Sequence, residues 1–286
     1  MSSIISQIKP AKTFDPRSFP VRFSRLKNMA RAPSIYLHEL MNEREPTDEM
    51  QFGTAVHSLV LGGAPVALYE GRRDDRIKAW RDFQAKHEGA MILKPDDFDR
   101  AHACADAVKR CYVATPWLQG EKERHIAWSI GKRACSSKLD VVNARANEPF
   151  VVDLKTTRNA EPSWFLREVR RMHYHAQLAW YLDAAAQTFQ TFKRAREREL
   201  NGGLLGSPRA IIVAIETRAP HPVTVVEIRP SALDQGRKLN RLWFERLMVC
   251  EESGEWPDYT SDIVPFEIDE SETEFTVTID GEEVTT

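Results

Sequence analysis

The feature that most limits the folds open to this chain is a change of hydrophobic period near residue 123. Before it, apolar residues recur every three or four positions, as in Phe98, Ala101, Ala105, Val108 and Val113. After it, residues 124–130, 134–142 and 149–155 have the length and turn-rich spacing of three consecutive strands, with turns near Gly131 and residues 143–148. Helical spacing returns over 163–186 through Phe165, Val169, Met172, Ala176, Ala179 and Leu182. Strands at 210–216 and 223–228 flank the turn APHP, and Pro230–Ser231 opens a last long helix to about Glu252. Helix, three strands, helix and strand, in that order, predict an α/β sandwich around a mixed sheet.

Upstream, Ser24 is the expected cap of a helix carrying Leu26 and Met29 that stops before Pro33, and Ile35, Tyr36 and Leu40 mark another. Residues 42–50 read as a charged loop, FGTAVHSLVL at 52–61 as a mostly buried helix, and 97–118 as a longer amphipathic one, with an exposed stretch between. The basic run 193–198 extends or follows the helix before it. The expected organisation is an arm at 1–21, one domain over 22–259, and an acidic tail at 260–286 in which FTVTIDGEEV signals a hairpin around Asp280–Gly281.

Charge is divided along the chain. From Glu251 to the end there are 13 acidic and no basic side chains, so residues 1–250 carry 40 basic against 29 acidic ones. A basic body suits a polyanionic partner. The longest weakly charged run, 59–69, contains Gly62, Gly63 and Pro65 and falls far short of the roughly 20 residues a bilayer requires, so no membrane association is expected. The first residues lack the pattern of a secretory signal, which gives an expected cytoplasmic location, in a bacterium or a phage-infected host cell. The four cysteines, Cys104, Cys111, Cys135 and Cys250, are too scattered for a zinc knuckle and read as small buried hydrophobes. Trp117, Trp128, Trp164, Trp180 and Trp243 sit in periodic segments and read as core.

The chemistry gathers at one place. Asp140 ends the second strand, and the third reads VVDLKTT, with Asp153 and Lys155 on one face because side chains alternate. A hairpin between them brings two carboxylates and an amine into one volume. Carboxylate oxygens are what Mg²⁺ takes, together with waters and substrate phosphate, and a lysine beside them can hold or deprotonate an attacking water. A surface ion pair is the plainer reading of an isolated Asp-x-Lys.

The order of motifs resembles the PD-(D/E)XK nuclease superfamily, and within it the RecE-type exonucleases (exonuclease VIII) of phage recombination, related to RecB nuclease domains. The resemblance runs over roughly residues 22–260 through FSRLKNMARAPSIYLHE, FGTAVHSLVL, EKERHIAWSI, Asp140, DLK at 153–155, QLAWY at 177–181 and CEESGEWPDY at 250–259. It departs in lacking Pro before Asp140, in having Asp153 in place of Glu, and in having Lys138 where Arg is commoner. It implies an α/β restriction-endonuclease-like core, αβββαβ, whose central mixed sheet is flanked by helices. It implies Asp140, Asp153, His57 and the carbonyl of Leu154 as metal ligands, Lys155 as the water-orienting residue, Glu123 as an additional acid, and Gln177 and Tyr181 acting together at the scissile phosphate. The implied cofactor is Mg²⁺, with Mn²⁺ as a substitute and no iron–sulfur cluster. The implied activity is 5′-to-3′ resection of double-stranded DNA ends for a phage single-strand annealing protein, by an enzyme that can form ring-like homo-oligomers. A silent DNA-binding scaffold and an endonuclease of the same fold are the alternatives.

Overall fold

The computed structural model describes residues 14–42, 45–145, 148–201, 207–260 and 262–267, and the backbone of 276–279 and 282–285. A five-stranded sheet forms the centre: β3 (Glu121–Ile130), β4 (Arg133–Asn143), β5 (Phe150–Thr157), β6 (Arg209–Glu216) and β7 (Val223–Glu227), hydrogen-bonded in that order. Within this sheet only β5 and β6 run parallel, joined through α6 (Pro162–Arg171), α7 (Tyr174–Thr188) and α8 (Gln190–Leu200). Covered on both faces, β6 reads as a nearly unbroken apolar run, as a strand inside a three-layer sandwich does, while β5 is apolar over Phe150–Val152 and then carries Asp153 and Lys155.

Two hydrophobic clusters sit on the two faces. On one, α3 (Asp48–Leu61) and α5 (Pro95–Arg110) pack on Val141, Val152, Leu154, Ile211 and Val213; on the other, α7 and α9 (Pro230–Ser253) pack on Leu139, Val142, Val151, Ala210 and Ile212. The second layer depends on Gly236. A Cβ there would lie 2.7 Å from Ala176 Cα and His175 O, both backbone. Gly236→Ala is therefore expected to lower stability by about 1–3 kcal/mol, the usual cost of overpacking, read as a drop in the urea midpoint; an unchanged midpoint would show that the helices separate freely.

Several boundaries differ from the sequence expectation. Ser24 is no cap. Val21 forms a bridge with β4, through Val21 N to Ala134 O and Ser136 N to Val21 O, and α1 (Phe23–Leu26) begins directly after it with Arg22 at the cap position. A 3₁₀ turn (Lys27–Ala30) and α2 (Pro33–Met41) follow. Thr47 caps α3 by accepting from Met50 N, so that helix starts inside the expected loop. The helix expected over 97–118 ends at Arg110, and Val113 is exposed.

The stretch expected to be exposed holds α4 (Lys78–Lys86) and a parallel pair of strands, β1 (Val66–Leu68) and β2 (Met91–Leu93), with Trp80 buried beside Tyr69. The single helix expected over 163–186 is two, parted at Met172 and His173, the latter with φ +58°. Trp128, Trp180 and Trp243 are buried, as are Cys104, Cys135 and Cys250.

Residues 14–21 lie against the body. Buried Arg133 pairs with Glu251 at 2.9 Å and donates to Pro16 O and Arg17 O. Beyond α9, Trp256 stacks on Tyr36 with centroids 5.9 Å apart. In the tail, β8 (Thr276–Ile279) pairs antiparallel with β9 (Glu282–Thr285), the expected hairpin. Among the described residues no helix is long and apolar enough to cross a membrane.

Candidate active site

The pairing of β4 with β5 stops at Val141↔Val152, and the next residues inward, Asp140 and Asp153, stand at the fork where the strands part. The β3–β4 ladder is interrupted at the same level, between Lys122↔Val141 and Arg124↔Leu139. There Glu123 takes φ +52°, a left-handed conformation uncommon outside glycine. Such strain persists only where its surroundings hold it. Here the Glu123 carboxylate is held in an ion pair with Lys138.

At the fork, Asp140 is buried, and its Oδ2 accepts from Leu154 N at 2.8 Å with His57 Nδ1 3.5 Å away. One atom each of His57, Glu123 and Asp140 lie within 4.8 Å of one another, the one such acidic, histidine or cysteine group among the described residues. His57 reaches this point because α3 packs its opposite side on the sheet and passes Thr156 closely at Gly53, where a Cβ would come within 3.1 Å of Thr156 Oγ1.

Asp153 lies outside that threesome. Lys155 Nζ pairs with its Oδ2 at 2.6 Å, and Gln177 Nε2 donates to its Oδ1 at 3.2 Å. Gln177 Nε2 also contacts the Tyr181 hydroxyl at 2.8 Å. The helix break at His173 starts α7 beneath Lys155, with the Tyr174 ring 4.8 Å from its ammonium. Lys138, at the position where the resemblance has a basic residue, and Tyr174 thus join the residues expected at the site; Tyr174 carried no signal of its own, since it reads as helix interior.

The electrostatics separate the two carboxylates. Burial alone would raise the Asp140 carboxyl, but His57, then Lys155 and the Leu154 N–H, hold it below the ordinary range. Burial dominates at Asp153 and, with Asp140 nearby, raises it despite Lys155. Burial works against the Lys155 ammonium, yet Asp153, Tyr181, Tyr174 and Asp140 together raise it. Burial and Asp153 raise the Tyr181 hydroxyl, which stays protonated.

The acidic cleft, of ≈ 760 Å³, is lined by Gly53, His57, Glu123, Lys138 and Thr156. It shares Pro46 and Met50 with a neighbouring groove of ≈ 950 Å³ whose walls carry Arg25, Lys27, Arg31, Arg171 and His173. An acidic centre thus continues into a basic track.

A mixed sheet flanked by helices, with carboxylates and a lysine where two strands fork, defines the PD-(D/E)XK superfamily. The chain belongs to the family described as PDDEXK-like domain of unknown function (DUF3799), matched by residues 22–264. It is similar to a crystal structure from Eubacterium rectale named "Putative exonuclease", with a TM-score of 0.59 and 13% identity over 91% of this chain and 96% of that one, a likeness of fold alone. The structure of SSO0001 aligns over 77% of this chain and 85% of that one at 14% identity, with a TM-score of 0.26 that carries no argument. No curated protein matches the sequence.

Proposed function

We propose that this protein is a metal-dependent deoxyribonuclease that hydrolyses phosphodiesters at double-stranded DNA ends, in the 5′-to-3′ direction, leaving a 3′ strand for a phage-type annealing protein. The observation that carries the hydrolytic part is the convergence of His57, Glu123 and Asp140 beside the Asp153–Lys155 pair. The direction and the recombination role rest on the resemblance to RecE-type exonucleases. Strand-binding is supported by the basic groove that continues the cleft. The domain reading over 22–259, with an acidic tail after it, belongs to the same proposal.

The donor set suits a divalent cation: two carboxylates and an imidazole at close spacing, with the buried Asp153 carboxylate beside them, paired to Lys155 through Oδ2. His57, Asp140 and Glu123 would hold Mg²⁺ or Mn²⁺, with Asp153 and the Leu154 carbonyl completing the oxygen ligands. A bound cation supplies Lewis-acid stabilisation of phosphate charge and a more acidic water. Lys155 holds and orients the nucleophilic water or a phosphate oxygen. Gln177 fixes Asp153 while Tyr181, protonated, presents a hydroxyl on the same helix face. Glu123 is set in place by Lys138.

The test is digestion of a linear duplex labelled at one 5′ or one 3′ end, with and without Mg²⁺, beside a closed circle. Metal-dependent release from the 5′ label with the circle intact is expected. Release from the 3′ label would overturn the direction, cutting of the circle the exonuclease reading, and inert DNA under all conditions the enzyme reading. His57→Ala should weaken Mn²⁺ binding by at least about 10–100-fold, as losses around metal sites do, while the melt stays cooperative because His57 is partly exposed. Titration calorimetry checks it; unchanged affinity would remove His57 from the metal set.

A further inference from the structure

Beyond α9 the chain leaves the body at the wall of the basic groove. Trp256 stacks on Tyr36, Pro257 O accepts from Ser34 N at 3.3 Å, and the Tyr259 hydroxyl accepts from Arg31 Nη2 at 2.8 Å. Arg31 is one of four Arg and Lys residues lining that groove, with Arg25, Lys27 and Arg171. They face a single carboxylate, Glu39, which already accepts from Asn28 Nδ2 at 2.7 Å. The groove is therefore strongly one-signed, and Met50, 47% exposed, gives it an apolar patch as well.

Three residues past that anchor stands a segment of complementary chemistry. Residues 262–267 read DIVPFE, and Ile263, Val264 and Phe266 are 95%, 72% and 86% exposed. Three large apolar side chains together in solvent mark a contact surface, and Asp262 and Glu267 bracket them with the charge the groove lacks. No basic residue follows Tyr259 to oppose the docking, whereas nine acidic ones do. Residues 260–267 reach about 26 Å when extended, so the segment can turn back along a groove of ≈ 950 Å³ while Tyr259 stays on Arg31. A short tether presents it there at an effective concentration of about millimolar, so weak contacts suffice. Pro265 limits the conformations lost on docking.

We propose that residues 262–267 occupy the basic groove of their own chain in the absence of DNA and are displaced by it, so that the acidic tail is a built-in competitor for the strand-binding surface. DNA wins because a strand carries a charge about every 3.4 Å, denser than the two carboxylates of the segment. The proposal rests on the nuclease reading only in naming DNA as the displacing ligand.

The test reads docking without cleavage. A carbodiimide joins an amine to a carboxylate in contact with it, so in the DNA-free full chain Lys27 is expected to crosslink to Asp262 or Glu267 within a species of monomer mass, found by mass spectrometry. Duplex DNA added in EDTA should abolish that crosslink. The full chain carrying Asp262→Asn, Phe266→Ser and Glu267→Gln should bind the duplex about tenfold more tightly at low salt, because the competitor has lost its anchors. That gain should shrink as salt rises and screens the charges. All three positions are exposed, and a thermal melt confirms folding. Absence of the Lys27 crosslink overturns the proposal, as does duplex affinity indifferent to the triple variant. A crosslink found only between chains overturns the same-chain assignment. Crosslinking in a chain that binds no duplex would overturn the nuclease reading and leave the docking standing.

Discussion

Replacing Asp140 or Asp153 with Asn is expected to reduce DNA cleavage on the order of 10²–10³-fold or more, the scale on which loss of one fixed electrostatic partner of a reacting group is felt. Asparagine keeps the volume, and at 140 its side-chain oxygen can still accept from Leu154 N, so the fork between β4 and β5 survives. What is lost is negative charge where His57, Glu123 and Asp140 meet, or beside it at Asp153. DNA binding should change little, because the basic groove lies beside the fork and not on it. Single-turnover cleavage at saturating Mg²⁺, with anisotropy on the same duplex, separates the two quantities. Near wild-type turnover in either variant would take that carboxylate out of the site.

Lys155→Met is expected to damage stability as well as activity. The substitution leaves Asp153, 2% exposed, and Asp140, 8% exposed, without the ammonium that compensates both. Breaking a buried pair from one side costs about 3–5 kcal/mol, measurable as a lowered denaturant midpoint in metal-free buffer. Adding Asp153→Asn to the same chain should recover most of that stability and none of the cleavage. A lone Lys155→Met as stable as wild type would mean that solvent, and not the lysine, balances Asp153.

The parts of this molecule that were legible in sequence are those set by side-chain period. The three strands before residue 157 and the paired strands after 208 fall within a few residues of their expected bounds, because alternation and turn residues are local signals. Gln177 and Tyr181 share a helix face for the same reason. Tertiary contacts set the rest. Ser24 lost its capping place when Val21 bridged to β4, and the break at His173, with neither Pro nor Gly to announce it, follows from seating Tyr174 under Lys155. The left-handed turn at Glu123 was equally hidden, since nothing in EKERHIAWSI marks one residue as held by a lysine fifteen positions away.

Helix α7 has two audiences. One flank presents Gln177 and Tyr181 to Asp153, and the other presents Trp180, Asp183 and Gln187 to a separate groove of ≈ 1240 Å³ along α9. Both flanks belong to one continuous helix, Tyr174–Thr188. Linkage makes the exchange symmetrical: if filling the groove strengthens binding at the fork by some factor, filling the fork strengthens binding in the groove by that same factor. The two surfaces share one helix, so the effect of filling one on the affinity of the other measures how far that helix couples them.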